Sequence, residues 1–242
     1  MKNRAGRISA LCRKELFSWF NSPSLYGITV FFLVFISVWF YYLRHFFAMD
    51  SASLRPFFSS FPFAYIGVIP VLTMKSWAEE RKTGSEEILF SLPLSEWELV
   101  LGKYISCLIL LLAMLILTIP VPLSLLPLGY FDPGVIFSEY LGAVLLGSGA
   151  ISLGLFMSCI SKSQGASFLA AASVLLFSNL ISGLTQFLPN SLAGFVNFIS
   201  LTYHFESFSR GLLDSRDIAF FFLITVLFLY LNAKSLYFRK LG

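Results

Sequence analysis

Six apolar runs, each long enough to cross a bilayer as one helix, limit this chain more than any other feature. A run of about 20 apolar residues at 1.5 Å per residue spans a hydrocarbon core of roughly 30 Å. Inside that core each backbone N–H and C=O must find its partner within the protein, and a helix satisfies them within its own segment. The runs fall at roughly Leu25–Leu43, Phe57–Met74, Tyr104–Leu128, Val135–Ile160, Gly165–Leu188 and Ile218–Phe238. They use up most of the 242 residues, so no sizeable soluble domain remains. Only 12% of residues are charged, about half the share of a soluble domain. The expected fold class is therefore an all-α integral membrane protein, with residues 1–242 as a single transmembrane domain.

Charge placement orients such a bundle, because Lys and Arg collect on the cytoplasmic side. Six spans put thirteen basic residues on one side: Lys2, Arg4, Arg7, Arg13, Lys14, Lys75, Arg81, Lys82, Lys103, Lys162, Lys234, Arg239 and Lys240. The other side holds four: Arg44, Arg55, Arg210 and Arg216. The acidic residues split seven to six, so the bias belongs to Lys and Arg alone. Both termini are expected in the cytoplasm, and the excess of 17 basic over 13 acidic residues marks a membrane side and needs no nucleic acid.

Residues 1–22 form a basic amphipathic lead. On a 3.6-residue period Ile8, Leu11, Cys12, Leu16, Trp19 and Phe20 share one face, opposite Arg7, Arg13 and Lys14, with Arg4 and Glu15 spoiling the edges. This pattern predicts an interface helix in the headgroup layer; a solvated basic tail is the alternative. A secretory signal is disfavoured, because Leu25–Leu43 exceeds an h-region and runs into Arg44-His45-Phe46-Phe47 without a small-residue cleavage site. The three cysteines, Cys12, Cys107 and Cys159, lack metal-ligand spacing, and an odd number cannot form a closed disulfide framework. Prolines 62, 70, 120, 122 and 127 predict kinks or broken ends in the second and third runs. Small residues around Gly142, Gly147, Gly154 and Ala170–Ser173 allow close helix packing.

Between the second and third runs lies a charged cassette, Met74–Lys103, with ten of the thirty charged side chains. Lys75 to Lys82 has helix-forming composition, and Gly84 can close it in a left-handed conformation. Ser85 can cap a second short helix with Glu86 and Glu87 in its first turn. Pro93 stops that helix, and Ser95-Glu96-Trp97-Glu98 is a capping box that starts a third. A capped elbow of this kind can dock in a groove of another protein and transmit a push; a loop kept out of lipid by its charges fits the same residues.

Catalytic signatures are missing. The sequence has no HExxH pair, no GxSxG elbow, no paired aspartates for metal-assisted phosphoryl transfer and no phosphate-binding GxxxxGK[ST] loop. Its two histidines, His45 and His204, stand alone in outer segments, where a surface or interface role is expected. The longest outer segment, 189–217, mixes phenylalanines with charges and predicts re-entrant or interfacial helices.

The run Ser76-Trp77-Ala78-Glu79-Glu80-Arg81-Lys82-Thr83-Gly84-Ser85-Glu86-Glu87, with Leu92-Pro93-Leu94-Ser95 and Leu101-Gly102-Lys103-Tyr104, resembles the signature of ABC-2 type transporter permeases. Within that family the segment His204 to Asp217, with Arg210, Gly211, Asp214 and Arg216, is similar to the gliding-motility-associated GldF-type permeases. The likeness covers the whole chain, and Ser85 stands where the family commonly has Thr. It implies an ABC-2, type V exporter-like fold of six transmembrane helices with a cytoplasmic coupling region at 75–103. It also implies a separate ATP-binding subunit that holds ATP and Mg, no cofactor on this chain, and a second permease subunit as a homodimer or related permease. An auxiliary extracytoplasmic subunit is compatible with it.

On this resemblance Trp77, Glu79, Glu80, Arg81, Thr83, Gly84 and Glu86 would lie at or near the ATPase contact, with no catalytic or metal role. The expected function is the permease subunit of an ABC transporter in a bacterial inner membrane. The alternative is a non-transporting anchor or mechanical component of a surface or gliding-motility complex.

Overall fold

The apolar runs fold into helices whose ends are set by caps and prolines rather than by the limits of hydrophobicity. The structure is a computed structural model that describes residues 4–44, 54–91, 93–125, 127, 131–184, 194 and 197–241. Lys2, His45, Phe46, Phe47, Leu92, Leu128, residues 185–193 and Phe195, on which expectations were placed, lie outside the described residues.

Eleven helices order the described residues: α1 (Arg4–Phe20), α2 (Pro23–Val38, widening into a π-helical turn over Trp39–Leu43), α3 (Arg55–Phe58), α4 (Phe61–Thr83), α5 (Ser85–Ser91), α6 (Glu96–Thr118), α7 (Pro120–Leu125), α8 (Pro133–Ile160), α9 (Gln164–Leu184), α10 (Leu201–Ser209) and α11 (Ser215–Leu241). Six helical stretches are long and apolar enough to cross a membrane: Pro23–Leu43, Arg55–Thr83, Glu96–Leu125, Pro133–Ile160, Gln164–Gly183 and Ser215–Lys240. The expected spans are recovered, and the second is longer at its C-terminal end. Pro62 sits in the first turn of α4 and Pro70 lies inside that helix without ending it. Pro120 marks the break between α6 and α7; its ring forbids the helical bond that would join them.

Helices α4 and α8 form the centre. Two thirds of each apolar window (67%) is buried, against 17% for α9, and α8 packs on α4, α6, α9, α10 and α11. The Tyr65 hydroxyl donates to the Ala143 carbonyl at 3.1 Å, tying α4 to α8. Close approach explains one of the small residues: a Cβ on Gly142 would stand 2.7 Å from the Phe208 ring. Around this contact Phe32, Phe57, Phe58, Phe61 and Tyr65 pack edge-to-face or stacked at centroid distances of 5.0–6.3 Å, geometries that aromatic quadrupoles favour.

Contacts gather α1, the ends of α4, α8 and α11, and the start of α6 at one end. Arg7 donates to the Pro93 carbonyl at 2.8 Å, and Lys240 meets Glu96 at 3.2 Å, so the first and last helices share this basic end. Helices α3 and α10 and the starts of α8 and α11 lie at the other.

Candidate coupling site

The elbow of the cassette grows out of the bundle without interruption. The expected Lys75–Lys82 helix is not a separate piece: it is the last part of α4, which runs from the buried centre to Thr83. Gly84 then takes a left-handed φ of 73° and its N–H donates to the Arg81 carbonyl. Only glycine adopts that conformation without steric cost. Ser85 is the first residue of α5 and does not precede it as a cap; its hydroxyl meets that of Thr83 at 2.6 Å. The capping box forms as the spacing predicts: Ser95 Oγ accepts from the Glu98 N–H at 3.3 Å, and Glu98 Oε2 accepts from the Ser95 N–H at 2.9 Å.

Beneath the elbow lies a brace built around one ammonium. Lys103, on α6, has a side chain only 5% exposed. Its Nζ donates to Glu80 Oε1 at 2.7 Å, to the Ser76 carbonyl at 2.7 Å and to Glu15 Oε1 at 3.1 Å. An ammonium has three N–H groups, so all are used, and the charge lies 4.7 Å from the Trp77 ring centroid. A charge this deep persists because it is paired and hydrogen-bonded. The result joins α1, α4 and α6 at a single atom.

A second clamp ties the elbow to α8 and α11. Arg81 donates to the Ser161 and Cys159 carbonyls at 2.5 and 2.6 Å, filling acceptors left open at the C-terminus of α8. Its Nε also meets Glu86 Oε2 at 3.3 Å, while Glu86 Oε1 meets Arg239 of α11 at 3.4 Å. Arg239 shares the Cys159 carbonyl with Arg81. Ser158 Oγ accepts from the Trp77 N–H at 3.2 Å and donates to the Met74 carbonyl at 3.2 Å, which locks α8 to the backbone of α4.

The cassette residues thus divide into two sets. Trp77 is fully buried, and Glu80, Arg81 and Glu86 are engaged inside the chain. Glu79, Thr83 and Gly84 are exposed, as are Lys82 and Glu87 beside them. Sequence reasoning missed the inward role of Lys103, Glu15 and Arg239. Glu15 carried a usable signal: it spoils the edge of the apolar face of α1 because that edge meets a buried cation.

The face of α1 assigned to lipid is also used differently. Cys12 and Trp19 are buried and Leu11 and Leu16 half-buried, with α1 packed on α6. A Cβ on Gly102 would stand 2.9 Å from Leu11 Cβ. Burial and the Glu15 carboxylate raise the Cys12 thiol above its ordinary range, so it packs as a small apolar group.

A family model described as ABC-2 family transporter protein matches residues 9–237, which takes in the brace, the elbow and the opposite end. The chain belongs to the ABC-2 transporter family. No curated protein matches it. As an ABC-2 chain it is the permease component of an ABC transporter, a multi-pass membrane part of the machine.

The His204–Asp217 motif of this ABC-2 permease departs from the expectation of a histidine standing alone in a surface or interface role. His204 is buried; its Nδ1 lies 2.6 Å from Asp217 Oδ1, its Nε2 lies 3.1 Å from the Phe198 carbonyl, and its ring stacks on Phe220 at 3.7 Å. Asp217 supplies a polar partner that the burial of an imidazole requires. Gly211 turns the chain at φ 74° after α10, and Asp214 accepts from the Arg216 N–H at 2.9 Å to start α11. Arg210 and Arg216 are exposed. Among the described residues no cluster of His, Cys, Asp and Glu has metal-site geometry.

Proposed function

We propose that this permease receives the stroke of a separate ATP-binding subunit on the exposed side of the elbow, formed by Glu79, Lys82, Thr83, Gly84 and Glu87, and passes it into the membrane helices. The observation that carries the reading is the continuity of α4 from the buried centre to Gly84, reinforced by the Lys103 and Arg81 clamps. A push on the elbow has no flexible joint in which to be lost before it reaches α4 and α8. Trp77, Glu80, Arg81 and Glu86 then serve transmission from inside, while the exposed residues make the contact. ATP and Mg are held by the partner.

In this reading both termini and the elbow face the cytoplasm of a bacterial inner membrane, on the strength of the basic bias. Two permease subunits pair, and α9 leaves Leu169, Phe177 and Leu180 uncovered for lipid or a second subunit. The His204–Asp217 segment supports assignment to the GldF-type subfamily.

Co-purification with a nucleotide-binding subunit and stimulation of its ATP turnover test the proposal. Reversing Glu79, Lys82 and Glu87 together is expected to abolish both while leaving the thermal stability of the permease unchanged. Retained stimulation in a well-folded triple variant would overturn it. ATP-dependent solute flux in reconstituted vesicles separates a transporter from a purely mechanical component.

A further inference from the structure

A polar cleft of 330 Å³ lies between α1 and the end of α4, far above the roughly 10–15 Å³ that one water needs. Its walls carry three lysines, Lys14, Lys75 and Lys103, and three glutamates, Glu15, Glu79 and Glu80. Lys103 has all its donors engaged and holds Glu15 and one oxygen of Glu80. The other charges are incompletely met. Lys75 Nζ donates to Ser24 Oγ at 3.0 Å and lies 5.4 Å over the Trp19 ring, and it makes no ion pair among the described residues. Glu79 makes none either and is exposed. Lys14 reaches Glu80 Oε1 only at 4.0 Å, and Glu80 Oε2 is buried with no hydrogen-bond partner among the described residues.

The surroundings indicate what kind of molecule carries the complementary charges. Beside the cleft α1 turns Phe17 and Phe20 outward, 65% and 53% exposed, next to Arg13 and Lys14. Exposed aromatics flanked by cations are the pattern of a helix at headgroup level. Once Lys103 has met Glu15 and Glu80, the charges left on the lining are Lys14 and Lys75 on one side and Glu79 on the other, so a ligand here should carry both signs. A purely anionic headgroup would leave Glu79 unanswered. A quaternary ammonium has no N–H for that carboxylate, whereas a primary ammonium offers three charge-assisted donors.

We propose that this cleft binds the headgroup of a phosphatidylethanolamine lipid, with the phosphate against Lys14 and Lys75 and the ammonium against Glu79. The bound lipid fills the space between α1 and α4 and anchors the braced end of the permease to the membrane surface. The same phosphoethanolamine chemistry could come from a soluble molecule, and the exposed Phe17 and Phe20 favour the lipid.

Native mass spectrometry of the detergent-purified full chain tests the proposal without any nucleotide-binding subunit, so its outcome is separate from that of the transport reading. The chain is offered phosphatidylethanolamine, phosphatidylglycerol and phosphatidylcholine with matched acyl chains, and in a further arm soluble phosphoethanolamine as competitor. Retention of phosphatidylethanolamine is expected to exceed that of the other two by about tenfold, the equivalent of one charge-assisted bond. Lys75→Gln should lower all three phosphate-bearing lipids, and Glu79→Gln should remove only the preference for the primary amine. Equal retention of the three lipids by the wild-type chain would overturn the proposal even if the variants fail to fold. Displacement by soluble phosphoethanolamine as effective as by the lipid itself would overturn the lipid assignment.

Discussion

At the basic end of the bundle one buried ammonium and two guanidinium groups, Arg81 and Arg239, hold α1, α4, α5, α6, α8 and α11 in a web of ion pairs and carbonyl hydrogen bonds, whereas at the opposite end a histidine and an aspartate 13 residues apart fix α10 against α11 over packed aromatic rings. Charge networks tie many elements through few atoms, so losing one member leaves its partners buried and unpaired. Aromatic packing spreads its stabilisation over many contacts, each of them small. In the proposed reading the basic end carries a displacement from one helix to several, and the other end holds its shape while that happens.

Removing the ammonium is the strongest way to break this contrast. Lys103→Met is expected to destabilise the permease by about 3–5 kcal/mol, the usual consequence of stripping one partner from a buried network, as read by thermal unfolding in detergent. A double variant that also converts Glu80 to Gln should recover part of that loss. If Lys103→Met melts like the wild type, the network contributes little and the contrast fails.

At the opposite end, Gly142→Ala forces a methyl against the Phe208 ring at 2.7 Å and is expected to cost about 1–3 kcal/mol by overpacking. Asp217→Asn keeps the shape but removes the carboxylate beside His204, with an expected cost of about 1–2 kcal/mol. Neither should alter the coupling of a co-purified ATP-binding subunit beyond its effect on folding. Smaller still, Ser95→Ala removes an N-cap acceptor at the start of α6 for about 1 kcal/mol, and Gly84→Ala strains the elbow by about 1 kcal/mol although the added methyl meets nothing within 4 Å. These two should lower the stability of the elbow in hydrogen exchange before they change the global melting temperature.

The parts of the fold governed by local rules were legible in the sequence. The six spans follow from the length of the apolar runs, Gly84 from its position after a basic helical turn, and the Ser95–Glu98 box from its spacing. What was not legible is contact between distant segments. The match of Glu15 to Lys103 is 88 residues apart in the chain, and that of Arg81 to the Cys159 and Ser161 carbonyls 78 and 80. Those pairings decide that Glu80, Arg81 and Glu86 face inward, whereas a reading of the cassette alone leaves all its charges open to a partner. Glu139 escaped for the same reason: it sits within an apolar run, fully buried on α8, its two oxygens without a hydrogen-bond partner among the described residues, and only the packed helices around it make it unusual.

The central claim is that the elbow and the membrane helices move as one body, and a spin-label distance measurement between Lys82→Cys and Lys234→Cys tests it most directly. Both positions are exposed, and the three native cysteines are buried away from the label. A single narrow distance distribution is expected for the braced chain, broadening when Arg81→Gln removes the clamp on α8. A broad distribution in the braced chain itself, unchanged by Arg81→Gln, would contradict the account.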